Sequence, residues 1–360
     1  MTGTVMITTG GTGGHVFPGL AVGARLIAKG WRVFWLGTRE GMEARLVPAH
    51  GLDFEAIRFA GVRGKGVKQL LLGPFALLAA FAQSLRVIRR RAPDVVLGLG
   101  GFASFPGALM GVACSKPLVI HDANAIAGLA NRILAYGADR ILLGFPDALG
   151  GRHAAKVEWV GNPIREEIVA LPPPEQRFAG RSGPLRILVI GGSLGATALN
   201  ECVPKALALL PAGERPAITH QAGEAHLETL RAAYAANGVV AECLPFFDDM
   251  ARRYAAADLV ISRSGGLTVA ELAAAGVGAL LVPLPGAIAD EQTHNAQFLV
   301  DAGGAVLLPQ KELAAQRLAD FLRGCSRDGL LAMARAARRV ACPDATERVA
   351  QACITEASGA

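Results

Sequence analysis

Short apolar runs separated by stretches of helical periodicity recur along the whole chain. Val5-Met6-Ile7 is followed by runs at 33–36, 95–99, 117–121, 140–143, 157–160, 186–190, 216–220, 239–243, 258–262, 278–282 and 305–308. Strands that read as continuous apolar runs are buried on both faces, and the helical segments between them supply the cover, so parallel sheets are predicted. The pattern restarts once. Val5–Ile7 leads into a glycine loop and a helix from Leu20 to Ala28; Arg186–Ile190 leads into a second glycine loop and a helix beginning near Leu199. The expected fold class is α/β, with two Rossmann-like domains facing a cleft. Gly161-Asn162-Pro163-Ile164-Arg165 and Leu171-Pro172-Pro173-Pro174 separate the halves, which places the boundary near 163. An Ala/Arg-rich helix over Leu330–Val340, a break at Cys342-Pro343 and a last helix opened by Asp344 end the chain. The predicted domains are therefore 1–162 and 163–341, with 342–360 as a helix able to cross back to the first.

The first loop, Thr9-Gly10-Gly11-Thr12-Gly13-Gly14-His15, has four glycines in five positions. Bare backbone N–H groups can approach a bound group there, and the following helix directs about half a positive charge at it, so phosphate or pyrophosphate is the natural guest. A plain strand-to-helix turn uses one or two glycines and seldom four. Ordinary dinucleotide binding is disfavoured: counting from Gly11, the last fingerprint position is Val16, and the second strand ends in Gly37-Thr38 without the acid. A triphosphate loop is excluded as well, since His15 stands where Gly-Lys-Ser/Thr would end it. In the second half the loop reads Gly191-Gly192-Ser193-Leu194-Gly195-Ala196.

Ligands of open parallel sheets bind beyond the carboxyl ends of the strands. The residues at those ends are Gly100-Gly101-Phe102-Ala103-Ser104 and His121-Asp122-Ala123-Asn124 in the first half. The second half offers Arg263-Ser264-Gly265-Gly266-Leu267-Thr268, then Glu271 on the helix that follows, and Asp290-Glu291-Gln292-Thr293-His294-Asn295. A Ser-Gly-Gly turn opening a helix is again a phosphate seat; carboxylates and amides that read hydroxyls suggest a sugar.

Charge divides unevenly. Residues 1–162 hold 18 Lys/Arg against 9 Asp/Glu and the remainder 18 against 21, so the whole positive excess lies in the first half. Much of it flanks the longest apolar stretch, the 13 residues Leu70–Ala82, broken by Gly73-Pro74: Arg63, Lys65 and Lys68 before, Arg86, Arg89, Arg90 and Arg91 after. That stretch is too short to span a bilayer. An apolar patch rimmed by cations suits an anionic membrane surface, whereas an amphipathic core helix with a solvated basic end is the bland alternative. Nucleic acid is not expected as a partner, because no basic motif is interleaved with aromatics, which make up 6% of the chain. The six cysteines show no zinc spacing and read as reduced structural thiols. No metal site and no cofactor are expected. His50, His121, His153, His220, His226 and His294 have no ligand spacing either and read as structural or surface residues.

The ordered motifs resemble one family, the bacterial MurG-type transferases. They run from Gly-Gly-Thr-Gly-Gly-His-Val-Phe-Pro-Gly-Leu-Ala at 10–21, through Arg63-Gly64-Lys65-Gly66 and Val160-Gly161-Asn162-Pro163, to Pro343-Asp344-Ala345-Thr346-Glu347-Arg348-Val349-Ala350. The resemblance implies a GT-B fold and transfer of N-acetylglucosamine from UDP-N-acetylglucosamine to the lipid-linked muramyl-pentapeptide precursor of peptidoglycan. It also implies a peripheral position on the cytoplasmic face of the cell's inner membrane. On the donor side it implies Ser193, Gly265, Gly266, Leu267 and Thr268 at the pyrophosphate, Glu271 at the ribose and Phe247 at the uracil, with Arg165 nearby. Gln292 would read the transferred sugar, and Thr12, Gly13, Gly14 and Asn124 would border the donor from the first domain. On the acceptor side it implies Gly13, Gly14, His15, Gly101, Phe102 and Asn124. The sequence departs from the family where Phe102 replaces Tyr, Asp122 replaces Glu and Leu194 replaces Gln, so no proton can pass through residue 102. The alternative with the same fold and donor is a glycolipid synthase or a UDP-sugar epimerase.

The implied chemistry is one inverting displacement, needing a base for the attacking hydroxyl and positive charge for the leaving diphosphate. His15 and Asp122 are the candidate catalytic residues, with His15 favoured as base. The helix N-termini after 193 and 265, with Arg263 or Arg165, are candidates for the second task, and no Asp-x-Asp motif is present to carry a divalent ion.

Overall fold

The computed structural model describes residues 2–59, 67–192, 195–286 and 290–359, with backbone alone for 67–72. The loop motif at 63–66, Ser193 and Leu194 therefore lie outside the described residues, as does the side chain of Lys68. By contacts the chain forms two compact units, one of Met1–Arg165 with Cys342–Ala360, the other of Glu166–Ala341.

In the first unit, β1 (Thr4–Thr8), α1 (Gly13–Ala28), β2 (Arg32–Thr38), α2 (Glu43–Ala49), β3 (Asp53–Ile57), α3 (Val67–Arg91), β4 (Val95–Gly98), α4 (Ser104–Ala113), β5 (Leu118–Asp122), α5 (Leu129–Leu134), β6 (Arg140–Leu143) and β7 (Val157–Trp159) alternate. All strand pairs are parallel, in the order β3-β2-β1-β4-β5-β6-β7. The apolar runs feed both faces of this sheet. Val5, Ile7, Trp35 and Leu97 pack on one side, and Met6, Phe34, Val96 and Ile120 on the other.

The second unit contains α6 (Glu166–Val169), α7 (Pro174–Phe178), β8 (Arg186–Ile190), α8 (Thr197–Ala208), β9 (Ala217–Gln221), α9 (Leu227–Ala236), β10 (Glu242–Leu244), α10 (Met250–Ala256), β11 (Leu259–Ser262), α11 (Gly266–Ala275), β12 (Gly278–Leu281), α12 (Glu291–Asp301), β13 (Ala305–Leu307), α13 (Ala315–Arg323) and α14 (Arg327–Arg339). Its parallel sheet runs β10-β9-β8-β11-β12-β13. The last helix, α15 (Ala345–Ser358), packs on α1 of the first unit, burying Val349, Ala350 and Cys353. Glu347 on α15 pairs with Arg25 and, at 2.6 Å, Lys29.

Three local expectations are corrected. β3 was not foreseen, because Asp53-Phe54-Glu55-Ala56-Ile57 lies at the sheet edge and mixes acids with apolar residues; its Asp53 and Glu55 pair with Arg91 and Arg90 at 2.6 Å each. Gly73-Pro74 does not break the apolar stretch, and α3 runs through it for 25 residues. Gly73 has no Cβ for the proline ring to strike, and packing against α4 carries the helix. Finally, α1 starts at Gly13 rather than near Leu20, so Gly13, Gly14 and His15 form its first turn.

Candidate functional site

Both sheets reverse strand order in the same way: β1 between β2 and β4, β8 between β9 and β11. A crevice opens at the carboxyl end of such a reversal. Each crevice here is walled by glycine loops. In the first unit the loop after β1 meets the loop after β4, where Thr9 Oγ1 donates to the Gly100 carbonyl at 2.9 Å. Gly101 has φ +77°, and a Cβ on it would stand 2.3 Å from the Gly10 carbonyl oxygen, so the two loops touch backbone to backbone.

His15 leans over this junction. Its Nδ1 lies 3.1 Å from the Leu99 carbonyl, and its Cε1 would be 3.4 Å from a Cβ on Gly100, which has φ +80°. A carbonyl only accepts, so Nδ1 carries the proton and Nε2 keeps a lone pair. Burial lowers the His15 pKa; the Asp122 charge and the Leu99 carbonyl oppose that shift. The imidazole is therefore neutral at pH 7, the form a proton acceptor requires.

Asp122, at the end of β5, is buried and fully engaged. One oxygen accepts from the Asn124 amide at 3.1 Å; the other accepts from the Gly128 amide and Asn131 Nδ2, both at 2.9 Å. It orders the 122–131 loop. His121 beside it is buried too, its Nε2 donating to the Gly161 carbonyl at 3.0 Å. Phe102 is partly exposed, with its ring 5.8 Å from that of Phe59. Arg165 places its guanidinium 5.3 Å over the Phe17 ring. Thr12 is the exposed, extended N-cap of α1.

Sequence reading missed Glu43. This fully buried carboxylate accepts from the Thr38 amide (2.9 Å), Thr38 Oγ1 (2.6 Å) and the Gly11 amide (3.3 Å). It sits where the acid of a dinucleotide fold was sought and not found, but it is turned onto the loop itself.

In the second unit, Gly195 has φ +77°, and a Cβ there would stand 2.1 Å from the Ala222 carbonyl, which also accepts from Asn200 Nδ2 at 3.1 Å. After β11, Gly265 is the extended N-cap of α11, whose first turn carries Gly266, Leu267 and Thr268. The turn is pinned from α12: Ser264 Oγ donates to the Gln292 carbonyl at 2.7 Å, and Asn295 Nδ2 donates to the Ser264 carbonyl at 3.1 Å. The Gln292 side-chain oxygen accepts from the Leu284 amide at 2.9 Å. Glu271 is buried and accepts from the Tyr254 hydroxyl at 3.1 Å. Phe247 is buried, with Arg253 5.0 Å over its ring. Arg263 differs from expectation: its guanidinium donates to the Val282 and Pro283 carbonyls (3.1 and 3.2 Å) and to Gln310 (2.6 Å), leaving it tied to loop carbonyls.

Residues 5–143 match the glycosyltransferase family 28 N-terminal domain and residues 186–349 the glycosyltransferase family 28 C-terminal domain. The chain belongs to glycosyltransferase family 28. Among similar family members is the UDP-N-acetylglucosamine–N-acetylmuramyl-(pentapeptide) pyrophosphoryl-undecaprenol N-acetylglucosamine transferase of Burkholderia multivorans, 58% identical over 98% of this chain and 96% of that one. The protein of the same name from Burkholderia vietnamiensis is also 58% identical, over 97% and 95%. The crystal structure of Acinetobacter baumannii MurG aligns with a TM-score of 0.82 at 38% identity, covering 98% of this chain and 99% of that one. A UDP-GlcNAc 2-epimerase from Neisseria meningitidis shares the fold alone, at 13% identity and TM-score 0.67, covering 99% of this chain and all of that one. The family 28 fold is thus two parallel-sheet, Rossmann-like domains.

Proposed function

We propose that this family 28 glycosyltransferase moves N-acetylglucosamine from UDP-N-acetylglucosamine to the 4-hydroxyl of undecaprenyl-pyrophosphoryl-N-acetylmuramyl-pentapeptide. The observation that carries the reading is the repetition of a helix-opening glycine loop at the strand-order reversal of both sheets, one for each of two diphosphate substrates. Near-full-length identity of 58% to transferases of that name supplies the substrate pair.

On this reading the second unit takes the donor. The N-terminal ends of α8 and α11, with Ser193, Gly265, Gly266, Leu267 and Thr268, hold the pyrophosphate and stabilise the charge that develops on UDP as it leaves. Glu271 takes the ribose hydroxyls, the Phe247 backbone the uracil and Gln292 the sugar. The first unit takes the acceptor diphosphate at Gly13, Gly14, Gly101, Phe102 and Asn124. The muramyl 4-hydroxyl attacks the anomeric carbon, its proton passes to His15 Nε2, and the anomeric C–O bond to UDP breaks on the opposite face. Asp122, with both oxygens engaged, shapes the loop and lends its charge to His15; it is not the base. Turnover proceeds without a divalent ion or cofactor.

Among the described residues, no helix is long and apolar enough to cross a membrane. Phe75 (70% exposed) and Leu78 (62%) on α3 stand out to solvent with exposed Arg86 and Arg89, which supports docking of this face on anionic lipid. Arg90 and Arg91 are spent on β3 carboxylates. The deciding experiment incubates the protein with labelled UDP-N-acetylglucosamine and a muramyl-lipid acceptor. Label in the lipid fraction, dependent on acceptor, is expected; free sugar and UDP formed without acceptor would overturn the reading in favour of an epimerase.

A further inference from the structure

The Glu43 carboxylate is fully buried and makes no ion pair among the described residues. Three donors hold it, and one of them is the Gly11 amide of the loop after β1. Three glycines make room for it. A Cβ on Gly10 would stand 2.3 Å from Oε1, one on Gly41 2.2 Å from the same atom, and one on Gly37 2.7 Å from Cγ. A buried acid without a cation, set against a loop otherwise built to attract anions, is costly unless it does something for that loop. Its bond to Gly11 fixes the stretch that precedes Gly13, Gly14 and His15. Gly11 has φ +108°, outside the region that most residues hold unaided.

We propose that Glu43 is a positioning residue: it sets the Gly10–Gly14 loop in the shape that receives the acceptor diphosphate and aims His15, without touching substrate. This rests on the assignment of the acceptor to the first unit. Glu43→Gln separates the roles. The amide oxygen keeps both Thr38 bonds and the volume is unchanged, but the amide nitrogen faces the Gly11 N–H, donor against donor. The expected result is a fall of about tenfold or more in kcat/KM for the acceptor, the donor KM within twofold of wild type and a thermal midpoint lowered by a few degrees, with the variant folded at the assay temperature. Hydrogen exchange at the 9–16 peptide should quicken in the variant relative to peptides of β4 and β5. Unchanged exchange at that peptide, or a parallel loss for both substrates, overturns the proposal. Because the exchange readout needs no substrate, failure of the proposed function shows up separately, as wild-type protein that transfers nothing to the muramyl lipid, whereas quickened exchange with unchanged acceptor kinetics would show that the loop does not receive the acceptor and overturn the proposal.

Discussion

Replacing Gly101 with alanine tests whether the junction of the two first-unit loops seats His15. At φ +77° an alanine incurs left-handed strain of about 1–2 kcal/mol. The larger effect is steric. The new Cβ would stand 2.3 Å from the Gly10 carbonyl oxygen, while ordinary contact begins at 3.4 Å, so one backbone must retreat by about 1 Å. Neither partner has a rotamer to change, and the Gly10 side leads directly into Gly13–His15. A displacement of about 1 Å at reacting groups costs about 10²-fold in rate, so kcat for sugar transfer should fall by about that factor. For a unit of this size the strain lowers the thermal midpoint by only about 2–8 °C. Gly180→Ala is the matched control: its φ is +69° and no atom lies within 4 Å of the new Cβ, so it carries the same strain and should leave kcat unchanged. If Gly101→Ala folds and keeps kcat within threefold of wild type, the loop junction does not position the chemistry.

His15→Ala, assayed with both substrates saturating, should lower kcat by about 10²-fold or more; a loss confined to the acceptor KM would leave His15 a binding group. Because burial lowers the His15 pKa, the wild-type kcat/KM should hold its plateau down to the ordinary histidine range and fall only below it. Transfer should survive exhaustive EDTA treatment, and a rate abolished by chelation and restored by Mg²⁺ would displace the helix-terminus account of the leaving group. His220, buried against the Tyr234 hydroxyl at 2.8 Å, has its pKa lowered to about 3 by burial. Between about pH 6.5 and 3 the unfolded chain binds a proton that the folded one refuses, so stability falls as pH falls, by about 2 kcal/mol between pH 7 and 5. Urea midpoints of wild type and His220→Gln at those two pH values check this; equal pH dependence in the two proteins contradicts it.

What the sequence disclosed divides by physical range. Glycine loops are legible because positive φ and backbone approach are local demands: Gly101 and Gly195 each face a carbonyl that any side chain would strike. The central strands are legible because burial on both faces leaves an unbroken apolar run, as in Val95–Leu97. Edge strand β3 is not, since half of it faces solvent and its acids pair with arginines more than 30 residues away. The Gly73-Pro74 signal misleads because helix α3 is held by α4, a tertiary contact that outweighs the local breaker. Glu43 is invisible for the same reason: its meaning lies in Gly11 and Thr38 converging on it across two loops. The engagement of Asp122, a candidate catalytic residue by sequence, is not legible there because its three donors come from the chain folding back on itself between 124 and 131.

The two sheets share a strand order but not a chemistry at their reversals. In the second unit the described residues of the loops after β8 and β11 are glycines, Ala196, Arg263 and Ser264, and the imidazole beside them, His226, comes from the segment after β9, 3.3 Å from where a Cβ on Gly195 would stand. In the first, the same location carries His15, with its tautomer set by the Leu99 carbonyl, and a loop held by Glu43. A backbone seat stabilises negative charge without moving a proton, which is what a departing diphosphate needs; a hydroxyl nucleophile needs an acceptor with a lone pair. On the proposed reading, proton removal and leaving-group stabilisation fall to different halves of the chain. It follows that substitutions at Gly101, His15 and Glu43 should act on the acceptor side of the kinetics, and those at Glu271 or Gln292 on the donor side. A variant of the first group that raised the donor KM alone would show that this division is wrong.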